Sequence, residues 1–360
     1  MIKPHDYQQQ AINKVIKAWQ SPFVWKHTTL GVAPTGAGKS IIGLSAFDQY
    51  QTAVGKHLRV IFMAHSLEIV TTLAKDAFNK YEFDGVGIVN GNTKVYWQQV
   101  TIGTVQSLND DNLLSKMQFF GGVDVLVVDE AHRGVTATHL AVVKKLRKLN
   151  PNLKILGLTA TFERTDLRGL RELFTHSCFK IQPKQLVRKK RLAKPRVFWP
   201  ALPHNEAGFV LHRWMVATKG KRKTLIFAES VEHAYEFVDL LDDLGQDVAL
   251  VTGDTPAEER VKAMDAHVLV NVGVYKEGAN IPGVGCVIIA RRSQETPWRQ
   301  MIGRGLRPDT DDCIVLAMDR YKPIKRIPYF VLGIPKPTTL MGQLPSGGTI
   351  FHRMMSYLSG

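Results

Sequence analysis

Residues 123–132 read Val-Asp-Val-Leu-Val-Val-Asp-Glu-Ala-His, an apolar run that ends in two carboxylates and a histidine. The apolar part predicts a buried strand, and Asp129, Glu130 and His132 would then follow that strand at its carboxyl end. Open α/β sheets bind their ligands at this edge. The stretch therefore predicts an α/β sheet that carries acid–base and metal-binding groups at its ligand-binding edge.

Short apolar runs alternate with helix-length segments on both sides of this strand, which predicts βαβ units and mostly parallel sheets. In the first half the predicted strands are 28–33, 58–64, 86–89, 100–103, 123–128 and 154–158, and the predicted helices include 39–52, 66–79 and 137–149. The pattern restarts in the second half, with predicted strands at 224–228, 247–252, 266–272, 284–290 and 313–318 and predicted helices at 231–244, 256–265 and 297–303.

The chain has 360 residues, which is too long for one ordinary core and favours two domains. The interruption of the pattern by three prolines and dense basic charge predicts a linker at 184–205. The predicted organisation is thus a first α/β domain at 1–183, the linker, a second α/β domain at 206–320, and an extension rich in Pro and Gly at 321–360.

The net charge is +15, and it is unevenly distributed. The segment 180–223 contains thirteen Lys and Arg residues and one acidic residue, Glu206. Charge concentrated in this way favours a polyanionic partner such as nucleic acid, although a solvated basic face would give the same composition. No apolar run approaches the roughly 20 residues of a membrane span, and no signal sequence opens the chain, so we predict an intracellular protein without membrane contact.

A glycine-rich loop follows the strand predicted at 28–33. Ala33–Ser40 ends in Gly-Lys-Ser, as a P-loop does, although Ala33 replaces the first glycine of the usual pattern. The residues predicted to hold the nucleotide phosphates are Pro34, Thr35, Gly36, Ala37, Gly38, Lys39 and Ser40. Backbone N–H groups of such a loop and the following helix N-terminus attract phosphate oxygens. We expect Lys39 to pair with the β- and γ-phosphates of ATP and Ser40 to bind Mg²⁺.

The acidic box at 129–132 supplies the groups that this loop needs for hydrolysis. We expect Asp129 to hold Mg²⁺ through its water shell and Glu130 to act as the general base that polarises the attacking water. His132 is better suited to couple the γ-phosphate site to another domain than to bind the metal. A solvated loop after a strand is the alternative, but it would leave the P-loop without a metal partner.

These two motifs together resemble superfamily-two helicase motors of the DEAH-box type. Within that group the chain is similar to the UvsW, RecG, XPB and restriction-enzyme motor-subunit (ResIII-like) families, and the resemblance extends over roughly residues 4–320. It implies two tandem RecA-like domains with ATP bound in a cleft between them. It also implies that Gln8 reads the adenine edge, that Tyr7 stacks nearby, and that Glu277 and Gly278 belong to a nucleotide-contacting motif.

The resemblance assigns the remaining candidate residues as well. His65, Thr104, Thr252 and Gly253 occupy positions where the family contacts the nucleic-acid backbone. Gln300, Arg304 and Arg307 fall in a highly specific motif of the second domain. Because Arg304 and Arg307 are three residues apart, they would share one helix-like face and reach the γ-phosphate as arginine fingers. Asn280 stands where the family usually has Asp, which weakens the expectation of ribose recognition there.

These observations predict an ATP-dependent DNA helicase or translocase that uses ATP and Mg²⁺ and acts as a monomer on single-stranded or forked DNA. An RNA helicase of the same superfamily, a nucleic-acid-stimulated ATPase that remodels or anneals, and the motor subunit of a nuclease complex remain alternatives, and protein partners stay open. The run Arg188, Lys189, Lys190 and Arg191 would either contact the phosphate backbone or act as an extended hinge.

Overall fold

The computed structural model describes residues 2–119, 121–131, 136–160, 173–174, 176–198, 206–275, 281–291 and 295–317. The chain divides into two compact units between Ile181 and Gln182. Among the described residues, no helix combines the length and the apolar character of a transmembrane segment. Each unit is an α/β domain with one parallel sheet.

The first unit contains a seven-stranded sheet in the order β3-β4-β2-β5-β6-β1-β7. Its strands are β1 (Thr28–Val32), β2 (Val60–Ala64), β3 (Val86–Val89), β4 (Val100–Thr104), β5 (Val125–Val128), β6 (Lys154–Thr159) and β7 (His176–Lys180). Its helices within the described residues are α1 (Asp6–Trp19), α2 (Lys39–Val54), α3 (Leu67–Lys80), α4 (Val105–Leu108), α5 (Asp111–Phe119) and α6 (Ala137–Leu149), and a 3₁₀ turn covers Val24–His27.

The apolar run that precedes Asp129 forms β5, the middle strand of this sheet. All four residues of β5 are buried, because β5 pairs in parallel with β2 on one side and β6 on the other. Leu126 and Val128 pack in one core cluster with Ile61, Ile155 and Leu146. Burial on both faces explains why this strand is a continuous apolar run instead of an alternating one.

The second unit contains a six-stranded sheet in the order β10-β11-β9-β12-β13-β8. Its strands are β8 (Lys194–Phe198), β9 (Thr224–Ala228), β10 (Val248–Val251), β11 (Val268–Asn271), β12 (Cys286–Ala290) and β13 (Asp312–Ala317). Its described helices are α7 (Pro183–Arg188), α8 (Ala207–Thr218), α9 (Val231–Asp243), α10 (Ala257–Ala263) and α11 (Glu295–Gly305). The parallel α/β fold predicted for both halves is therefore confirmed.

The segment 184–205, predicted to be a linker, contains a helix and a strand joined by a turn in its described part, residues 184–198. It includes most of α7 and all of β8, and β8 pairs in parallel with β13 at the edge of the second sheet. Pro195 and Val197 are buried while Lys194 and Arg196 are exposed. Lys194, Pro195 and Arg196, which are part of the basic sequence that suggested a linker, thus belong to an edge strand, where proline and outward-facing cations are tolerated.

Candidate functional site

The strand order of the first unit brings three candidate segments and the end of β6 to one edge of the sheet. The P-loop follows β1, Thr159 ends β6, Asp129 and Glu130 follow β5, and His65 follows β2, and these four strands are consecutive neighbours. Parallel strands present their carboxyl ends on the same side. The backbone N–H of Ala33 donates to the carbonyl oxygen of Thr159 at 2.9 Å, which fixes the start of the P-loop to the neighbouring strand.

The P-loop has the backbone geometry that its glycines allow. Gly36 and Gly38 have φ values of 83° and 74°, in the left-handed region that favours glycine. Gly38 is the N-cap of α2, which begins at Lys39. The helix therefore points its N-terminal N–H groups and the positive end of its dipole toward the loop, which suits a phosphate group.

The N-terminal helix contacts the same loop. Gln8 Nε2 donates to the carbonyl oxygen of Ala37 at 3.1 Å, and the Tyr7 hydroxyl donates to the same oxygen at 3.2 Å. Gln8 is 2% exposed, and its Oε1 accepts from the backbone N–H of His5. The structure thus brings both predicted adenine-side residues against the phosphate loop, where they also hold its backbone in place.

We expect Gly38→Ala to weaken ATP binding by about tenfold or more, equivalent to about 1.4 kcal/mol. A Cβ at Gly38 would overlap Gln8 Nε2 well inside van der Waals contact, and the φ of Gly38 is unfavourable for alanine.

The matched control is Gly55→Ala at the C-terminal cap of α2, which has φ 62° but no atom within 4 Å of the added Cβ. Both variants should lose about 1–2 kcal/mol of unfolding free energy from backbone strain. Isothermal titration with ATP should show the affinity loss in Gly38→Ala alone, and equal affinities would contradict the Gln8–loop contact.

The lysine of the P-loop and the second acid of the box form an ion pair. Lys39 Nζ lies 3.1 Å from Glu130 Oε1, and both side chains are largely buried. Glu130 has a φ of 48°, an uncommon backbone conformation for a residue other than glycine. Such local strain often accompanies a functional position. Two motifs that are ninety residues apart in the sequence therefore meet at one point.

Asp129 is buried beside the Lys39–Glu130 pair. Burial and the neighbouring Glu130 charge raise the pKa of Asp129 to about 6, although Lys39 and His65 act in the opposite direction. Its Oδ1 is buried and has no hydrogen-bond partner among the described residues. A buried carboxylate oxygen without a donor fits a divalent cation. Asp129 and Ser40, the first-turn residue of α2, are therefore suited to hold Mg²⁺.

Two histidines, His65 and His139, lie at this edge of the sheet and have different surroundings. His65 influences the pKa of Asp129, so the structure places this predicted nucleic-acid contact near the acidic box. His139, which the sequence analysis did not single out, lies in the first turn of α6, and burial followed by the His65 charge lowers its pKa. Its Nδ1 is 2.8 Å from the hydroxyl of the N-cap residue Thr136. His132 lies outside the described residues.

Thr104 ends β4 at the same edge, but its hydroxyl has a structural partner. Thr104 is the N-cap of α4: its Oγ1 accepts from the backbone N–H of Ser107 and lies 2.9 Å from the Ser107 hydroxyl. The side chain is 9% exposed. The predicted contact between this hydroxyl and nucleic acid would therefore compete with the helix cap.

In the second unit, Thr252 and Gly253 form a tight loop after β10. The Thr252 N–H donates to the Thr255 hydroxyl at 2.9 Å. Arg260 donates from Nη2 to the Gly253 carbonyl oxygen at 2.7 Å and from Nε to the Thr255 carbonyl oxygen at 2.7 Å. Gly253 has no atom within 4 Å of its Cβ direction, so the loop is open on that side. Such an exposed backbone is accessible to a phosphate.

The predicted arginine pair lies at and beyond the end of α11. Arg304 is in the last turn and is 6% exposed, and Gln300 is 5% exposed on the same helix. Arg307 lies two residues past the helix end, so the helix-like face predicted from the three-residue spacing is not observed. Arg307 precedes Pro308, a position that disfavours helical dihedrals. Burial lowers the pKa of the Arg307 guanidinium, which nevertheless remains charged near neutral pH.

The other predicted residues are either exposed or outside the described part of the chain. Arg188 ends α7, and Arg188, Lys189, Lys190 and Arg191 are all exposed. Lys190 has a φ of 52°, within the turn that leads to β8. Glu277 and Gly278 are not among the described residues.

The fold and the site define a P-loop protein built from two RecA-like domains. Residues 1–164 match the family model for the type III restriction enzyme res subunit (ResIII), and residues 209–309 match the helicase conserved C-terminal domain. The chain belongs to the superfamily-two helicases of the ResIII-like group.

Individual proteins that are similar to this chain support its assignment to the helicases. The proposed ATP-dependent helicase IRC3 of Saccharomyces cerevisiae is 24% identical over 355 residues, covering 84% of this chain and 49% of IRC3. The ATP-dependent RNA helicase RhlB of Aeromonas hydrophila is 26% identical over 286 residues, covering 72% of this chain and 65% of RhlB. The chain thus spans about half the length of IRC3. The structure of S. cerevisiae Dbp5 bound to RNA and ADP BeF3 shares the fold, with a TM-score of 0.69, 16% identity, and coverage of 99% of this chain and 93% of Dbp5.

Proposed function

We propose that this chain is an ATP-dependent DNA motor that couples ATP hydrolysis to movement along, or unwinding of, single-stranded or forked DNA. The observation that carries the proposal is the Lys39–Glu130 ion pair beside buried Asp129, at the mouth of a P-loop. A lysine, a general base and a carboxylate suited to hold a metal are the groups that phosphoryl transfer to water requires.

The hydrolytic step follows from the positions of these groups. Phosphate oxygens of ATP take Glu130's place as the partner of Lys39, which leaves the carboxylate available to a water molecule. That water attacks the γ-phosphorus, the bond to the bridging oxygen of ADP breaks, and Glu130 accepts the proton of the water. Ser40 and Asp129 would hold Mg²⁺, which would supply positive charge near the phosphates.

Residues outside this centre complete the proposed nucleotide site. Gln8 and Tyr7 are the proposed adenine-side contacts, and they connect that end of the nucleotide to the loop through Ala37. Arg304 and Arg307 are the proposed charge donors to the γ-phosphate in the ATP-bound state. His132, Glu277, Gly278 and Gln300 remain predictions from the resemblance.

The proposed substrate is DNA because the first domain matches the subunit of a restriction enzyme, a class that acts on DNA. RNA is the second candidate, because RhlB, an RNA helicase by name, is a relative at similar identity. The experiment compares steady-state ATP hydrolysis with single-stranded DNA, duplex DNA, forked DNA and single-stranded RNA. We expect the largest stimulation with single-stranded or forked DNA. Greater stimulation by RNA would make RNA the proposed substrate. Absence of ATP hydrolysis under every condition would refute the proposed ATP-dependent motor.

The exposed run 188–191 is a proposed contact to the phosphate backbone. Replacing all four cations by Gln should reduce the slope of log K against log salt concentration by up to about 2.8, since each phosphate contact on a single strand contributes about 0.7. Fluorescence anisotropy with a labelled oligothymidylate at several salt concentrations measures the slope. The control replaces four other exposed lysines: Lys56, Lys75, Lys116 and Lys144. An unchanged slope in the first variant would leave the run without a role in binding.

A further inference from the structure

Three large apolar side chains in succession are exposed in the first unit. Phe23, Val24 and Trp25 are 56%, 64% and 52% exposed, in and beside the 3₁₀ turn that precedes β1. Exposed apolar side chains are common singly, whereas a contiguous group that includes two aromatic rings marks an interaction surface. The P-loop chemistry described above does not involve these residues.

One lysine lies close to both rings, and a histidine contacts one of them. Lys26 Nζ lies 5.2 Å from the ring centroid of Phe23 and 5.2 Å from that of Trp25. The Trp25 ring also meets the His176 ring edge-on, with the centroids 5.5 Å apart. The aromatic faces are therefore presented together with positive charge.

Two neighbouring elements add further cations next to Thr28 and His27. Arg147, at the end of α6, donates to the Thr28 hydroxyl at 2.6 Å. Lys154, at the start of β6, lies 2.9 Å from His27 Nδ1. Phe23, Trp25, Lys26, Arg147 and Lys154 are called the amino-edge patch, because they lie where β1 and β6 begin.

Acidic residues are missing from the segments that build this patch. Residues 7–47 and 131–162 contain no Asp or Glu. Among the described residues, Lys26, Arg147 and Lys154 form no ion pair with a carboxylate. A surface that combines unneutralised cations with exposed aromatic rings is suited to a polyanion whose bases can stack, which describes single-stranded nucleic acid. An apolar protein partner would not require the cations.

The amino-edge patch is separate from the nucleic-acid contacts predicted by resemblance. His65 and Thr104 follow the carboxyl ends of β2 and β4, whereas the patch lies at the amino ends of the strands. Because β1 is five residues long, its two ends are roughly 15 Å apart. We infer that the amino-edge patch is an accessory binding site for single-stranded nucleic acid, with Trp25 and Phe23 stacking on bases and Lys26, Arg147 and Lys154 contacting phosphates. This site is additional to the proposed motor and does not depend on hydrolysis.

Photocrosslinking tests the inference directly. The Glu130→Gln variant is irradiated with single-stranded oligonucleotides that contain 5-iodouracil, one set of DNA and one of RNA, and is then digested with trypsin. We expect an adduct on the peptide 18–26, at Phe23 or Trp25, since Trp19 in the same peptide is only 1% exposed. Yields from the two sets show which nucleic acid the site prefers. Adducts confined to other peptides, as expected if the patch docks protein instead, would overturn the inference.

Affinity measurements provide an independent test without nucleotide. Trp25→Ala should weaken oligonucleotide binding at least about fivefold, because the stacking of one base is lost, while Trp25→Phe should retain part of the affinity. Phe78→Ala, which removes a 75% exposed aromatic residue from α3, is the control and should have no effect. Equal affinities for Trp25→Ala and Phe78→Ala would overturn the inference.

The charged part of the patch has its own test. Lys26→Gln with Lys154→Gln should lower the salt slope by up to about 1.4, whereas Lys56→Gln with Lys116→Gln should not. ATP hydrolysis in the absence of nucleic acid should be unchanged in both double variants and in Trp25→Ala, so a failure of this inference is distinct from a failure of the proposed motor. Equal slopes for the two double variants would count against phosphate contacts at the patch.

Discussion

Glu130→Gln is expected to reduce the rate constant of ATP hydrolysis by about 100- to 10,000-fold, the usual contribution of a general base. The amide is nearly the same size as the carboxylate but cannot accept the proton of the attacking water. Because Glu130 is the partner of Lys39 at 3.1 Å, its neutralisation also removes a competitor of the phosphates for Lys39. We therefore expect ATP affinity to be unchanged or increased while turnover is lost.

Two comparisons make this result specific. Lys39→Ala removes the phosphate contact itself and should lose ATP affinity together with turnover. Glu82→Gln makes the same chemical change at an exposed position of the first unit and should have no effect on either quantity. Single-turnover hydrolysis and nucleotide titration measure the two quantities separately. Normal turnover in Glu130→Gln would remove Glu130 from the role of general base.

The parallel sheets were predictable because their strands are continuous apolar runs. Val86–Val89 and Thr224–Ala228 have the predicted bounds, and β5 is shorter than predicted by two residues at its start, where Asp124 Oδ2 accepts from the backbone N–H of Arg59. The edge strands β7 and β8 were missed. An edge strand exposes one of its faces to solvent, so polar residues interrupt the apolar pattern by which a strand is predicted. These residues are His176 and Lys180 in β7, and Lys194 and Arg196 in β8.

The candidate site was partly predictable for a different reason. The phosphate loop and the acidic box are local motifs whose residue types report their chemistry, and the strand order places both at one edge. The Lys39–Glu130 ion pair forms because the strand order brings the two motifs together, and no local sequence pattern encodes that order. The Gln8–Ala37 contact likewise joins segments 29 residues apart. The amino-edge patch had no motif at all, since its cations come from three separate elements and only the fold brings them to the start of β1 and β6.

The second large effect is expected from Arg304→Ala, which should lower the rate of nucleic-acid-stimulated ATP hydrolysis by about 1,000- to 100,000-fold if Arg304 is the arginine finger. A finger stabilises charge that develops on the γ-phosphoryl group in the transition state, so it contributes little to binding of the ground state. ATP affinity should therefore change by less than about tenfold. Arg304→Lys keeps the charge but loses the planar fork of donors, and it should recover only part of the rate.

Burial of Arg304 at 6% exposure makes stability the necessary control. Removing a buried guanidinium could unfold the second unit and mimic a catalytic defect, so the thermal midpoint of each variant is measured beside its kinetics. Lys262→Ala, which removes an exposed cation from α10, should leave rate, affinity and stability unchanged. If a folded Arg304→Ala protein loses hydrolysis rate and ATP affinity in equal proportion, Arg304 contributes to ground-state binding and is not the finger. Arg307 would then be the candidate finger, and the same measurements on Arg307→Ala would test that role.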